Sequence, residues 1–156
     1  MPAPVTPDRS LLERWLTAAA VESYVCEHCD NLHLSEIRAQ EGVLDSRLIQ
    51  EPFGLLFSTE LEIRPMALLA VSADLGRLNM EYPTLKVFLD IVDDATPQLV
   101  AASIFPGNEG LTQGQFNHFI AIAMQATLQL AEECLRLDYL FSEDGSTRQQ
   151  PRSVLH

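Results

Sequence analysis

Lysine is almost missing from this sequence. Lys86 stands alone beside nine arginines, and against these bases are set 22 acids, which leaves a formal charge of −12 over 156 residues. The deficit is spread evenly: residues 1–50 carry −4, 51–100 carry −5 and 101–156 carry −3. No segment is a basic arm, so attraction to DNA, RNA or an anionic lipid surface is disfavoured. Long apolar runs are missing too. None reaches the roughly 18 residues that a spanning helix needs, and the N-terminus lacks the basic-then-apolar order of a signal peptide. The expected setting is the cytoplasm, with no membrane and no nucleic acid as partner. Cysteine is limited to Cys26, Cys29 and Cys134, an odd number without a framework spacing, which fits reduced thiols better than a disulfide scaffold. A phosphate-cradling glycine loop, a Gly-x-Ser-x-Gly elbow and a His-Glu-x-x-His helix are all absent, and the expectation is a protein that is not an enzyme.

What is present is enough apolar material for a core: 47% of the residues are hydrophobic and 21% charged. The reading is one domain over residues 1–142, followed by a polar, aperiodic tail over 143–156. Leu11, Leu12, Trp15, Leu16 and Ala19 recur at helical spacing and predict a helix over about 8–20, with Thr6-Pro7 as cap and first turn. Residues 21–35 read as a short hairpin and 43–49 as a partly exposed strand. The clearest strand is 53–63, where Phe53, Leu55, Phe57, Thr59, Leu61 and Ile63 share one face against Ser58, Glu60 and Glu62. After Arg64-Pro65, the set Leu68, Leu69, Ser72, Leu75 and Leu78 predicts a middle helix. Two strands follow, over 85–92 and 98–105, joined by a turn at Asp93-Asp94-Ala95-Thr96-Pro97.

Thr112 and Gln115 can form a capping box that opens a helix over about 112–140, roughly 40 Å long. Phe116, Phe119, Ile120, Met124 and Leu128 lie along its broad apolar face, and from Phe116 to Arg136 the only charges are Glu132, Glu133 and Arg136. A helix so long and so sparsely charged either crosses a broad sheet or offers those five residues to a partner, homodimerisation being the simplest use.

Only one short cluster has metal-ligand content: Cys26-Glu27-His28-Cys29-Asp30-Asn31-Leu32-His33. Two thiolates separated by two residues can turn toward one zinc, with His33 as a third ligand and Asp30 or His28 as a possible fourth. The rival readings are a reversible Cys26–Cys29 disulfide, which favours a helix N-terminus, and a hairpin turn with inert thiols. Cys134 reads as a core residue. Glu60 and Glu62 read as solvent-facing, and Asp90, Asp93 and Asp94 lack the spacing of a calcium loop.

These ordered features together resemble the YbjN family of bacterial sensory transduction regulators. The likeness rests on Leu12 to Leu16 around Trp15, the Cys26 to Leu34 cluster, Gly42-Val43-Leu44-Asp45, Glu62 to Pro65 and Ala73-Asp74-Leu75. It continues through Lys86 to Asp90, Asp93-Asp94, Pro97 to Val100, Gly110 to Phe116 and Leu155-His156. The resemblance implies an α+β fold like that of type III secretion chaperones: an N-terminal helix, an antiparallel sheet interrupted by a middle helix, a long C-terminal helix, and a dimer. It brings no catalytic residues with it. Two functions follow as expectations. One is a cytoplasmic regulator or adaptor that binds another, unidentified protein without turnover and without a cofactor. The other is a zinc- or thiol-dependent sensor or enzyme centred on Cys26, Cys29 and His33.

Overall fold

The computed structural model describes residues 2–92 and 95–142; the polar tail expected over 143–156 and the turn residues Asp93 and Asp94 lie outside the described residues. Strict alternation puts a strand at the middle of the sheet. In β4 (Gly54–Glu62), Leu55, Phe57, Thr59 and Leu61 are buried, while Glu60 and Glu62 are half-buried on the other face. Around it the chain builds α1 (Arg9–Ala18), β1 (Ser23–Val25), β2 (Leu32–Leu34), α2 (Ser35–Arg38) and β3 (Val43–Glu51) before it. After it come α3 (Leu68–Glu81), β5 (Lys86–Asp90), β6 (Gln98–Phe105) and α4 (Gln113–Arg136). The six strands form one antiparallel sheet in the order β1-β2-β3-β4-β6-β5. This is the expected α+β architecture, with the small helix α2 added.

Helix α4 carries eight buried residues; Thr127 sits midway, and the other seven divide between two core clusters. Phe116, Ile120, Ala123 and Met124 pack with Leu12, Trp15 and Leu16 of α1 over Leu32, Leu48, Leu55 and Phe57 of the sheet. Leu130, Ala131 and Cys134 pack with Val71 and Leu78 of α3 over Leu61, Val87, Leu99 and Ala101. The helix therefore uses its length to cross its own sheet. Phe116, Ile120 and Met124 are 0%, 2% and 7% exposed, which corrects their reading as partner-facing residues; Phe119 and Leu128 are half-buried at the edge of the same cluster. Among the described residues the helices cover only this inner face and leave the opposite face of the sheet open.

Element ends are set by backbone chemistry. Asp8, not Thr6, caps α1 by accepting the Leu11 N–H at 2.8 Å, which leaves Pro7 outside the helix. The capping box at α4 is present: Thr112 Oγ1 accepts the Gln115 N–H at 3.1 Å, and the Gln115 side chain accepts the Thr112 N–H at 2.9 Å. Thr112→Ala is expected to cost about 1 kcal/mol, read as a lower urea midpoint at unchanged slope; an unmoved midpoint would mean that the box is idle.

At its other end α4 stops at Arg136, earlier than expected, because Asp138 takes φ +59° and the Tyr139 N–H turns back to the Cys134 carbonyl. Leu140, expected in the helix, pairs instead with Ile63. In α3 the inward stripe is Val71, Leu75 and Leu78 with Ala67; Leu69, expected inside, is 84% exposed. It lies about 200° around the helix from Val71. Leu85, just before β5, and Val87 within it face the core, but Ile91 falls beyond the strand and is exposed.

Candidate functional site

The open face of the sheet has a ladder of its own. Pairing places Tyr24 of β1, His33 of β2, Arg47 of β3, Ser58 of β4, Ala102 of β6 and Lys86 of β5 in one row across all six strands. Leu44 is an extra residue in β3, a bulge between the pairs Val43–Leu61 and Asp45–Glu60. It changes the phase of the strand, so Val43 joins the core while Asp45 and Arg47 face outward beside His33. The weak alternation expected over 43–49 misses this switch.

His33 is 4% exposed and fixed from three sides. Its Nδ1 lies 2.7 Å from Asp45 Oδ1, its Nε2 lies 3.2 Å from Cys29 Sγ, and its ring stacks on Tyr24 with centroids 5.0 Å apart. Asp45 Oδ1 also accepts the Ser46 N–H at 2.8 Å. A carboxylate on Nδ1 assigns the proton to that nitrogen and leaves the Nε2 lone pair aimed at the cysteines. Cys26, Cys29 and His33 each offer one ligand atom, and these atoms all lie within 4.8 Å of one another. The three expected ligands thus converge. Cys26 Sγ accepts the His28 N–H at 3.3 Å. That hydrogen bond, with others from the Cys29 thiol and backbone N–H, holds the Cys26 thiol below the usual cysteine range.

The other nearby candidates go elsewhere. Asp30 is held by Arg9 at 3.1 Å, and the His28 side chain is exposed. The cysteines sit on the loop between two strands, so no helix N-terminus is present to stabilise a redox-active thiolate. Cys134 is fully buried, and burial, reinforced by Glu133 and Asp74, pushes its thiol up to about 12. Glu60 takes Arg47 at 2.8 Å, which gives this acid a structural partner on the open face.

A second polar cluster ties α3 to α4. Arg77 reaches Asp74 at 2.7 Å, Glu81 at 2.7 Å and Glu133 at 3.3 Å; Tyr139 donates to Asp74 and Tyr82 to Glu133. Arg77 holds the Asp74 carboxyl low, and burial with Glu133 nearby pushes Tyr82 up to about 12. Every acid here has a basic or hydroxyl partner, which marks a structural network.

Sequence reasoning misses one further feature. β5 pairs with β6 only from Gln98 to Ala102, so among the described residues Ser103–Phe105 have a neighbouring strand on the β4 side alone. Against this stretch lies a groove of about 380 Å³, walled by Ile104, Phe105, Phe119 and Ile122 with Thr84 and His118 at its rim. Phe105 and Phe119 meet edge to face with centroids 5.7 Å apart.

A family model, YbjN, described as "Putative bacterial sensory transduction regulator", matches residues 8–136. The chain belongs to the YbjN family. YbjN of Escherichia coli strain K12, named only as an uncharacterized protein, is 34% identical over 116 residues, covering 74% of this chain and 73% of that protein. The YbjN of Shigella flexneri gives the same figures, 34% over 116 residues. A crystal structure of E. coli YbjN, described as "a putative transcription regulator", matches with a TM-score of 0.85 at 30% identity, over 90% of this chain and 99% of that one. The sheet, the helices and the long C-terminal helix are thus those of a YbjN fold. Among the described residues no helix is long and apolar enough to cross a membrane.

Proposed function

We propose that this YbjN-family chain is a non-catalytic cytoplasmic regulator that works by capturing an extended apolar segment of another protein, laid as an added strand beside Ser103–Phe105. The observation that carries the reading is the unpaired end of β6 with its apolar groove. An edge strand offers backbone donors and acceptors to any extended chain, and pockets alongside choose the side chains. Ile104 is 55% exposed there and adds to the apolar wall of the groove. The walls carry no charge, so the complementary segment is apolar and extended. The family's description as a regulator supports binding without turnover, and the −12 charge opposes direct contact with DNA.

Panning a linear-peptide phage library against the protein, then titrating selected peptides into isotope-labelled protein for NMR, tests the reading. The expected result is shifts confined to Ser103–Phe105 and Phe119–Ile122, with slowed amide exchange in Ser103–Phe105. Ile122→Glu should weaken binding about tenfold or more at an unchanged melting temperature. No enriched peptide, shifts elsewhere, or binding indifferent to Ile122→Glu would overturn it. So would a concentration-dependent dimer in sedimentation that Ile104→Glu dissociates, because the edge would then belong to a second copy of the chain.

A further inference from the structure

We propose that Cys26, Cys29 and His33 bind one zinc ion, with Asp45 positioning the imidazole and a fourth coordination place left to solvent or to an incoming ligand. The argument begins with the donor set. Two thiolates and an imidazole suit zinc, which takes sulfur at about 2.3 Å and nitrogen at about 2.0–2.1 Å in a tetrahedron. Ligand atoms in such a tetrahedron lie roughly 3.5–3.8 Å apart. Cys29 Sγ and His33 Nε2 are already 3.2 Å apart, and the whole set lies within 4.8 Å, so closure on an ion needs only small rotations of side chains on a surface loop.

The shell behind the ligands is also in place. A zinc-bound histidine gives its second ring N–H to a carboxylate or carbonyl, which fixes the tautomer and raises its basicity. Asp45 does this at 2.7 Å and is itself held by the Ser46 N–H and faced by Arg47 Nε at 3.8 Å. A hydrogen bond from the His28 N–H to Cys26 Sγ offsets charge on a thiolate. The Tyr24 ring shields one face of the imidazole, with Arg38 5.6 Å from the centre of Tyr24. A hairpin turn with inert thiols accounts for a partner on each nitrogen of a buried histidine, but not for a second cysteine sulfur gathered within 4.8 Å of the same group. Among the described residues Cys26, Cys29 and His33 are the group whose ligand atoms converge, a three-ligand pattern that leaves one place exchangeable.

The consequence is local. β1 is a three-residue edge strand paired only with β2. Bound zinc would staple the 26–31 loop onto β2 and fix that edge. Occupancy of the site therefore becomes a signal that the hairpin can report. The site sits at the β1 edge and the peptide groove at the far side of the sheet, so the two proposals stand or fall separately.

The test uses the full chain, reduced and freed of metal, titrated with cobalt and then zinc. One equivalent of cobalt should give thiolate-to-metal charge transfer and tetrahedral visible bands, both erased by one equivalent of zinc. Cys26→Ser and Cys29→Ser should each abolish the charge transfer or reduce it by half. Asp45→Asn should keep the spectrum but weaken zinc binding about 10–100-fold against a chromophoric chelator, and His118→Ala, remote from the site, should leave the cobalt spectrum and the zinc affinity as they are. Amide exchange over 23–34 should slow on adding zinc. The proposal fails if reduced, folded protein shows no charge transfer at micromolar metal. It fails equally if the Cys26→Ser, Cys29→Ser double variant, with an unchanged circular dichroism spectrum, retains zinc as well as the parent does.

Discussion

Phe116→Ala should lower the unfolding free energy by about 3–5 kcal/mol, roughly a fifth or more of the ~5–15 kcal/mol that holds a domain of this size together. The ring is fully buried and lies 5.3 Å from Trp15, centroid to centroid. Its neighbours come from α1, α4 and three strands, so they cannot collapse together into the space it leaves. Trp15 is the only tryptophan, and its fluorescence reports on this cluster directly. Urea titration followed by that fluorescence and by far-ultraviolet circular dichroism should show coincident transitions at a lower midpoint. The opposite outcome, an unmoved midpoint with a change in self-association alone, would put Phe116 back on a partner surface. Phe119→Ala, at the half-buried margin, should cost much less stability and instead weaken peptide capture.

Gly54→Ala is expected to be as damaging by a different route, about 4 kcal/mol or more. Gly54 has φ +140°, and a Cβ there would stand 2.1 Å from the Phe105 carbonyl oxygen and 2.3 Å from the Gly107 nitrogen. Both obstacles are backbone, so no rotamer change relieves them. The tight Glu51-to-Gly54 turn and the end of β6 would have to part. Gly76 provides the control, because a Cβ there meets nothing within 4 Å on an exposed helix face. Gly76→Ala should hold or raise stability by about 0.5–1 kcal/mol. Thermal melts of the two variants beside the parent decide the matter; equal melting temperatures would refute the close-approach argument. Since Phe105 walls the groove, Gly54→Ala should also impair capture at temperatures where the protein is still folded.

Much of this architecture is legible in residue order because it depends on local chemistry. β4 announces itself by alternation, β6 by an apolar run stopped at Pro106-Gly107, and α4 by Thr112 and Gln115. What escapes is whatever depends on a single backbone angle or on a distant strand. Asp138 ends α4 in a left-handed conformation that glycine usually marks, so nothing in the sequence warns of the stop. Helix α2 has four residues, too few for a period to show. The bulge at Leu44 reverses the phase of β3, and one misplaced residue is enough to exchange inside for outside. The candidate metal site divides along the same line. Cys26, Cys29 and His33 stand out by spacing, whereas Asp45 is twelve residues beyond His33 on another strand and enters only through the pairing of β2 with β3. The groove beside Ser103–Phe105 comes from where β5 begins, at Lys86 opposite Ala102, and no single segment encodes it.

The placement of α4 across both core clusters also bears on how the chain is made. Each cluster takes its closing side chains from this one helix, Phe116 to Met124 for the first and Leu130 to Cys134 for the second. A nascent chain that has finished all six strands has only the earlier helices, chiefly α1 and α3, to cover the two halves of its sheet. During synthesis the apolar face of the sheet therefore stays only partly covered until the α4 stretch has left the ribosome. That interval is one in which holding factors and aggregation compete for the same surface, and it ends only as Cys134 docks.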